Sequence, residues 1–167
     1  MEKDSLIILV VVVGLVAVSA LLGEMGVTGK AVGSDAKLYN IEAVKVKEQG
    51  KYLVDGDSFS LYDGVSKTLS DGSTLLHKAT LSNGVRFELS GVCKNAYTID
   101  ATYQGTEPSG EELASFRVKI NGKEKGQFFL KEGASKVLED ESTINLLYIR
   151  RGTPDDNVGA EFELVCN

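Results

Sequence analysis

The sequence predicts a mainly β protein, in which an N-terminal hydrophobic helix is followed by a duplicated antiparallel β sandwich or partly open barrel. Three observations lead to this prediction. An aliphatic run without charged residues extends from Leu6 to Leu22. Alternating segments and Gly-containing turns, which are typical of β hairpins, fill much of the remaining chain. The two halves of that remainder also align with each other, which indicates an internal repeat.

The aliphatic run is interrupted only by Gly14 and Ser19. As a helix it would extend about 26 Å, near the short end of a membrane crossing. It fits a retained anchor, a cleavable signal peptide, or an assembly helix that packs against copies of itself. The preceding Glu2-Lys3-Asp4 has no net positive side-chain charge, which disfavours a signal peptide. We therefore expect an anchor or assembly helix at residues 1–30, a linker at 31–37 and a β domain at 38–167.

The internal repeat is clearest in the middle of each half, where a leucine, an acid, a glycine, a serine, a lysine, a second leucine and an aspartate recur in one register. The aligned segments are Leu61–Asp71 with Leu130–Asp140, Ser73–Leu75 with Ser142–Ile144, and Phe87–Leu89 with Phe162–Leu164. These matches predict two β units, at about 38–93 and 113–166. Between them, the alternation from Tyr97 to Tyr103 predicts a further strand.

Two turns are predicted directly by their residues. Asp55-Gly56 and Asn121-Gly122 each follow a strand-like run, and such pairs are the strongest short hairpin signals. In the second unit, Ala114 to Ile120 alternates between apolar and polar side chains, which predicts a half-buried strand.

Cys93 and Cys166 are the only cysteines, and each ends one repeat. The alternation preceding each cysteine predicts that both thiols point inward at equivalent strand ends, provided that Gly91 introduces no bulge. A disulfide between them would close a loop of about seventy residues and stabilise the domain by about 4 kcal/mol in the chain-entropy model. Such a bond requires an oxidising location. The alternative is two buried free thiols, and two cysteines alone do not predict a metal site.

We predict no catalytic, cofactor-binding or metal-binding residues, and hence no enzyme. His77 is the only histidine, and the repeat aligns it with Leu146, so the position tolerates an apolar residue. No nucleophile motif accompanies it. The carboxylates cluster in turns, where local backbone hydrogen bonding explains them. Calcium binding is the alternative, but no Asp-x-Asp-x-Asp-Gly loop occurs.

The charge distribution restricts the partners. The formal net charge is −6, and no basic stripe interrupts the acidic excess. We therefore expect no nucleic-acid partner. From the aliphatic run we instead expect contact with a membrane, or self-association. For the β domain we expect an envelope or cell-surface protein as a further partner.

The overall layout resembles two groups of proteins. A hydrophobic helix before a β-rich head is similar to type IV pilins and archaellins, although Lys3-Asp4-Ser5 departs from the basic residue and glycine that usually precede their processing site. The Leu-Ser-Asp-Gly turn at Leu69, together with Thr28-Gly29-Lys30 after the apolar run, resembles uncharacterised archaeal surface proteins with small duplicated β modules. Both resemblances imply a non-enzymatic protein outside the cell.

These observations predict a non-enzymatic structural or binding protein of the cell surface, anchored at its N terminus with an extracytoplasmic β domain. The first alternative is a pilin-like subunit of an extracellular filament. The second is a secreted hydrolase with a carboxylate site that no motif identifies.

Overall fold

The computed structural model describes residues 37–152 and 156–166. The predicted helix at 1–30 and most of the linker at 31–37 lie outside these residues. The described residues form strands only, without a helix. In chain order they are β1 (Leu38–Val46), β2 (Gln49–Val54), β3 (Asp57–Leu61), β4 (Ser66–Thr68), β5 (Thr74–Leu81), β6 (Gly84–Val92), β7 (Asn95–Thr106), β8 (Glu112–Ile120), β9 (Lys123–Leu130), β10 (Ser135–Val137), β11 (Thr143–Arg150) and β12 (Asp156–Val165).

The strands form two antiparallel six-stranded sheets, so the mainly β prediction is confirmed and the sandwich is favoured over the barrel. Sheet A has the order β10-β11-β12-β1-β2-β3, and sheet B has the order β4-β5-β6-β7-β8-β9. The first six strands contribute three strands to each sheet, and the last six do the same. Exchanging β1–β6 with β7–β12 therefore exchanges the sheets, which gives the domain an approximate internal twofold symmetry.

The symmetry assigns β7 to the second repeat. β7 pairs with β6 and β8 just as β1 pairs with β12 and β2. The second unit thus begins at Asn95 rather than near Leu113, where sequence matching placed it. The two strands share a Tyr-x-Ile-acid-Ala pattern, at Tyr39–Ala43 in β1 and at Tyr97–Ala101 in β7. Longer connections in the second unit give this match a different spacing from the one between Leu61 and Leu130, so the ungapped alignment missed it.

Both predicted hairpin turns are confirmed. Asp55 and Gly56 connect β2 to β3 with φ angles of 46° and 94°, and Asn121 and Gly122 connect β8 to β9 with φ angles of 50° and 77°. Two consecutive positive φ angles match the right-handed twist of the strands. The side chain of the first turn residue also accepts a backbone N–H from the neighbouring strand, from Asn40 in one case and Ala96 in the other.

A row of aromatic rings crosses the core and follows the twofold symmetry. Their order is Phe59, Tyr52, Phe87, Phe162, Phe116 and Phe128, with neighbouring centroids 5.2 to 6.4 Å apart. The symmetry axis passes between the two central rings, Phe87 and Phe162. It therefore makes Tyr52 the structural equivalent of Phe116. Edge-to-face contacts within the row join the two sheets.

Two corners carry the chain from one sheet to the other. The first corner (Tyr62–Val65) joins β3 to β4, and the second corner (Lys131–Ala134) joins β9 to β10. A bulged strand lies beside each corner: β5 is bulged at residues 77–79 beside the first, and β11 at 146–148 beside the second. The acid of each corner accepts the backbone N–H just after the bulge: Asp63 from Thr80, and Glu132 from Ile149. The repeated acid-Gly pair therefore fixes where the chain changes sheets.

Candidate functional site

The structure contains the predicted disulfide, with the Cα atoms of Cys93 and Cys166 5.0 Å apart and 73 residues apart in sequence. Cys93, however, does not end a strand. Gly91 has a φ of 83° and is skipped in the pairing of β6 with β7, so a bulge does occur there. Because of this bulge, Cys93 falls into the two-residue turn with Lys94, where both residues have positive φ angles of 48° and 59°.

The disulfide joins equivalent ends of the two repeats. Cys93 follows β6 of the first repeat in sheet B, and Cys166 follows β12 of the second repeat in sheet A. The bond thus links the two sheets near the symmetry axis. It constrains the unfolded chain by closing a long loop, which is how disulfides stabilise small domains.

The same end of the domain holds the start of β1, and we call it the disulfide end. The backbone N–H of Cys166 donates to the carbonyl of Lys37 at 2.8 Å. The Lys37 ammonium lies 2.7 Å from a carboxylate oxygen of Asp71 and 4.6 Å from the centre of the Tyr39 ring. Residues 1–36 therefore join the domain at a point that several contacts hold in place.

Two turns at the disulfide end repeat one hydrogen-bond pattern. Asp71 accepts the backbone N–H and the hydroxyl of Ser73, and Asp140 accepts the same groups of Ser142. Burial alone would raise the pKa of Asp71, but hydrogen bonds from Lys37 and Ser73 outweigh it and hold that pKa well below its usual range. The predicted role of turn carboxylates in local hydrogen bonding is confirmed here.

The first corner contains a second group of interest, which runs from the core to the surface. The Tyr52 hydroxyl lies 2.5 Å from His77 Nδ1, and His77 Nε2 lies 3.0 Å from both Asp63 Oδ1 and Thr80 Oγ1. His77 and Tyr52 are completely buried, whereas the Asp63 side chain is 60% exposed. We call these four residues the polar chain.

The proton positions in the polar chain follow from its acceptors. A carboxylate only accepts hydrogen bonds, so the Thr80 hydroxyl donates to Asp63 Oδ1. The Thr80 oxygen then accepts Nε2–H of His77, which also lies 3.0 Å from Asp63 Oδ1. Nδ1 is then the acceptor, and the Tyr52 hydroxyl donates to it. Burial lowers the pKa of His77, against an opposing effect of Asp63, which is consistent with a neutral imidazole. Burial also raises the pKa of Tyr52, so its hydroxyl keeps its proton.

The second repeat lacks this polar chain. The aromatic row equates Tyr52 with Phe116, and the corner hydrogen bonds equate Thr80 with Ile149. His77 corresponds to Leu146, because both donate and accept the same backbone bonds beside their corners. Each polar residue behind the first corner therefore has an apolar equivalent behind the second.

Gly50 is a further position at which the two repeats differ. It pairs with Leu61 as Ala114 pairs with Leu130. A Cβ atom at Gly50 would lie 2.6 Å from both His77 Nδ1 and the Tyr52 hydroxyl oxygen. The missing side chain makes room for the hydrogen bond between these two groups. Sequence reasoning aligned His77 with Leu146 but missed Gly50 and Tyr52, which lie on β2 in the other sheet.

The polar chain reaches the surface at an open cleft of about 560 Å³, which we call the first cleft. Its lining residues are Lys45, Lys47, Glu48, Tyr62, Asp63, Thr80, Leu81 and Ser82. The cleft at the second corner measures about 280 Å³ and is lined by Gly110, Glu111, Glu112, Lys131 and Glu132. Only the first of these two clefts contains an aromatic side chain.

A third concave surface lies on sheet B and has a volume of about 380 Å³. Arg86 and Asp100 form a two-pronged ion pair there, with both N–O distances 2.7 Å. Lys78 and Glu88 form another pair at 2.5 Å. Because these charges largely neutralise one another, the surface has no single sign that would attract a charged polymer.

Within residues 37–152 and 156–166, no group of three His, Cys, Asp or Glu side chains has an arrangement that could hold a metal ion. The same two ranges contain strands and no helix, and therefore no helix that could span a membrane. The aliphatic run from Leu6 to Leu22 lies outside them. Comparison with protein-family models, with curated proteins and with solved structures gave no match for this chain.

Proposed function

We propose that this chain is a non-enzymatic structural or binding protein of the cell surface, anchored through its N-terminal hydrophobic segment, with the β domain outside the membrane. The observation that carries this proposal is the disulfide between Cys93 and Cys166. Structural disulfides persist in oxidising compartments and are rare in the cytosol. A charge-free run of aliphatic residues before such a domain agrees with an extracytoplasmic location.

The position of the disulfide also suits a tether. The carbonyl of Lys37 accepts a hydrogen bond from the backbone N–H of Cys166 at the disulfide end, and β1 begins at the next residue. β1 lies inside sheet A, between β12 and β2. A pulling force that enters through residue 37 would load two rows of hydrogen bonds in shear, and the disulfide would limit how far β12 separates from sheet B.

A pilin-like filament subunit is the second candidate. It is favoured by the charge-free, mostly aliphatic run from Leu6 to Leu22, since a filament core buries every face of its helices. In this case residues 1–30 would associate with copies of themselves, and the β domains would form the outer layer.

One fractionation experiment tests both proposals. Cells are sheared, and the sheared material is examined by electron microscopy and mass spectrometry, while the remaining membranes are extracted with detergent. We expect the intact chain in the detergent extract, with the Cys93–Cys166 peptide linked under non-reducing conditions. Filaments that contain this chain would replace the anchor with the filament proposal. Recovery in the soluble cytoplasmic fraction with both thiols free would contradict both.

A further inference from the structure

The polar chain behind the first corner is not required by the fold. The second corner has the same backbone hydrogen bonds, yet Phe116, Leu146 and Ile149 stand in place of its three buried or half-buried polar members. Burying polar groups costs free energy that hydrogen bonds only offset. Gly50 must in addition lack a Cβ atom to admit the pair of Tyr52 and His77. Four positions have thus departed together from the apolar arrangement, which indicates a role other than packing.

The polar chain fixes one carboxylate at the surface. Asp63 Oδ1 accepts the backbone N–H of Thr80 at 3.0 Å and its hydroxyl at 3.2 Å, and Nε2 of His77 lies 3.0 Å from the same oxygen. All three groups therefore contact the same carboxylate oxygen. Oδ2 is therefore left as the acceptor that the side chain offers at the first cleft, in an orientation that is set before any ligand arrives.

The other residues of the first cleft restrict what it binds. Lys45 and Lys47 balance Glu48 and Asp63 in charge, so the cleft favours neither a cation nor an anion. Tyr62 is 59% exposed and offers an aromatic face. Hydroxyl groups and one leucine complete the lining. An aromatic face beside a fixed hydrogen-bond acceptor suits a neutral ligand with both C–H faces and hydroxyl groups.

We propose that the first cleft is a saccharide-binding site, in which a sugar ring packs against Tyr62 and its hydroxyl groups donate to Asp63. His77, Thr80 and Tyr52 act as positioning residues that hold the carboxylate. The cleft at the second corner, where Lys131 takes the place of Tyr62, serves as an internal control that should not bind the sugar. This inference goes beyond the surface role proposed above and does not depend on it, because binding is measured on the purified chain.

The single histidine provides a direct reporter. The full-length chain is dissolved in a detergent without a sugar headgroup and titrated with glucose, galactose, mannose and N-acetylglucosamine, while the NMR signals of the His77 imidazole are followed. We expect at least one sugar to shift these signals saturably. Asp63→Asn keeps an acceptor for Thr80 but removes the charge, and we expect it to weaken binding at least about tenfold. The matched variant Glu132→Gln should bind as the wild type does.

A second variant separates binding from folding. Tyr62→Lys introduces the residue of the second corner at an exposed position, so the fold should be retained while the sugar affinity falls. The proposal is overturned if no sugar gives a saturable shift at the highest soluble concentration, or if Asp63→Asn and Tyr62→Lys both bind like the wild type. It is also overturned if calcium chloride, but none of the sugars, produces the saturable shift.

Discussion

The Tyr52 hydroxyl lies 2.5 Å from Nδ1 of His77, and these two residues belong to opposite sheets of the sandwich. Neither has any exposed surface. Their hydrogen bond therefore joins the sheets through the core at one corner, whereas the equivalent corner is held by apolar contacts between Phe116 and its neighbours. This hydrogen bond is therefore a local departure from the internal symmetry of the domain.

Gly50→Ala should destabilise the domain by about 1–3 kcal/mol, because the new methyl group overlaps the hydrogen-bonded pair and forces it to move. The free energy of unfolding from urea titration measures this effect. The same substitution made together with Tyr52→Phe and His77→Leu should cost much less, since the hydrogen-bonded pair that the methyl group overlaps is then replaced by the apolar residues found at these positions in the second repeat. Equal costs in the two backgrounds would contradict the proposed steric conflict.

Acid should lower the free energy of unfolding of the wild type through the protonation of His77. Burial lowers the folded-state pKa of His77 below its ordinary value of 6.5, so the unfolded chain takes up the proton first as the pH falls. The contribution of the neutral imidazole is complete above that value and decreases as the pH falls from it towards the folded-state pKa. Asp63 and Tyr52 are the titratable groups that face the ring.

The comparison that isolates this effect uses the double variant Tyr52→Phe, His77→Leu. The difference in unfolding free energy between wild type and variant should shift in favour of the variant between about pH 7 and about pH 5. Carboxylates elsewhere titrate in both proteins and cancel. A difference that stays constant over this range would show that His77 is not desolvated as the structure indicates.

Sequence reasoning reached the features of this fold that depend on neighbouring residues. The turns at Asp55-Gly56 and Asn121-Gly122 follow from the φ angles that those residues tolerate, and the repeat from Leu61 and from Leu130 follows from shared turn chemistry. The disulfide was also predicted correctly, because the two cysteines lie at the ends of the two repeats. The bulge at Gly91, which moves Cys93 into a turn, was not predicted.

The polar chain was missed for a physical reason. Tyr52 and His77 are 25 residues apart and meet only when the two sheets pack. The repeat aligned His77 with Leu146, but the match of Tyr52 with Phe116 depends on the strand register. β8 and β9 contain extra residues near Arg117 that shift this register. A sequence comparison without gaps therefore could not reveal that several polar differences lie together.

Removing the disulfide should lower the stability by about 4 kcal/mol in the chain-entropy model, because the bond closes a loop of 73 residues. The double variant Cys93→Ser, Cys166→Ser avoids a free thiol and is compared with the wild type by urea unfolding. Reduction of the wild type with dithiothreitol serves as the control and should give a similar loss. An unchanged midpoint in both would show that the bond adds no stability.

Asp140→Ala should destabilise the disulfide end by about 1–3 kcal/mol at neutral pH, since Asp140 accepts hydrogen bonds from Ser142, Asn95 and the buried Tyr97 hydroxyl. Burial raises the pKa of Asp140, but these hydrogen bonds outweigh it and lower the pKa overall.

The fold stabilises the charged form of Asp140, whereas it stabilises the neutral form of His77. A carboxylate with a lowered pKa contributes stability above its unfolded value and loses it as the pH falls through the folded value. The difference in unfolding free energy between wild type and Asp140→Ala should therefore narrow as the pH falls below about 4, the ordinary pKa of aspartate. Unfolding at neutral and strongly acidic pH measures it, and a gap that widens in acid would contradict the ionised carboxylate.

The last prediction concerns the triple variant Gly50→Ala, Tyr52→Phe, His77→Leu, which gives three of the four differing positions behind the first corner the residues of the second and leaves Thr80 in place. Replacing both partners of a buried hydrogen bond with apolar groups of similar shape is often neutral or stabilising, whereas removing one partner leaves the other unsatisfied. We therefore expect the triple variant to be at least as stable as the wild type. Tyr52→Phe alone should be less stable by about 1–3 kcal/mol, because His77 Nδ1 then lacks its donor. Thermal and urea unfolding measure both. If the triple variant is instead much less stable than the wild type, the polar chain holds the fold together, and its reason for departing from the symmetric arrangement is structural rather than functional.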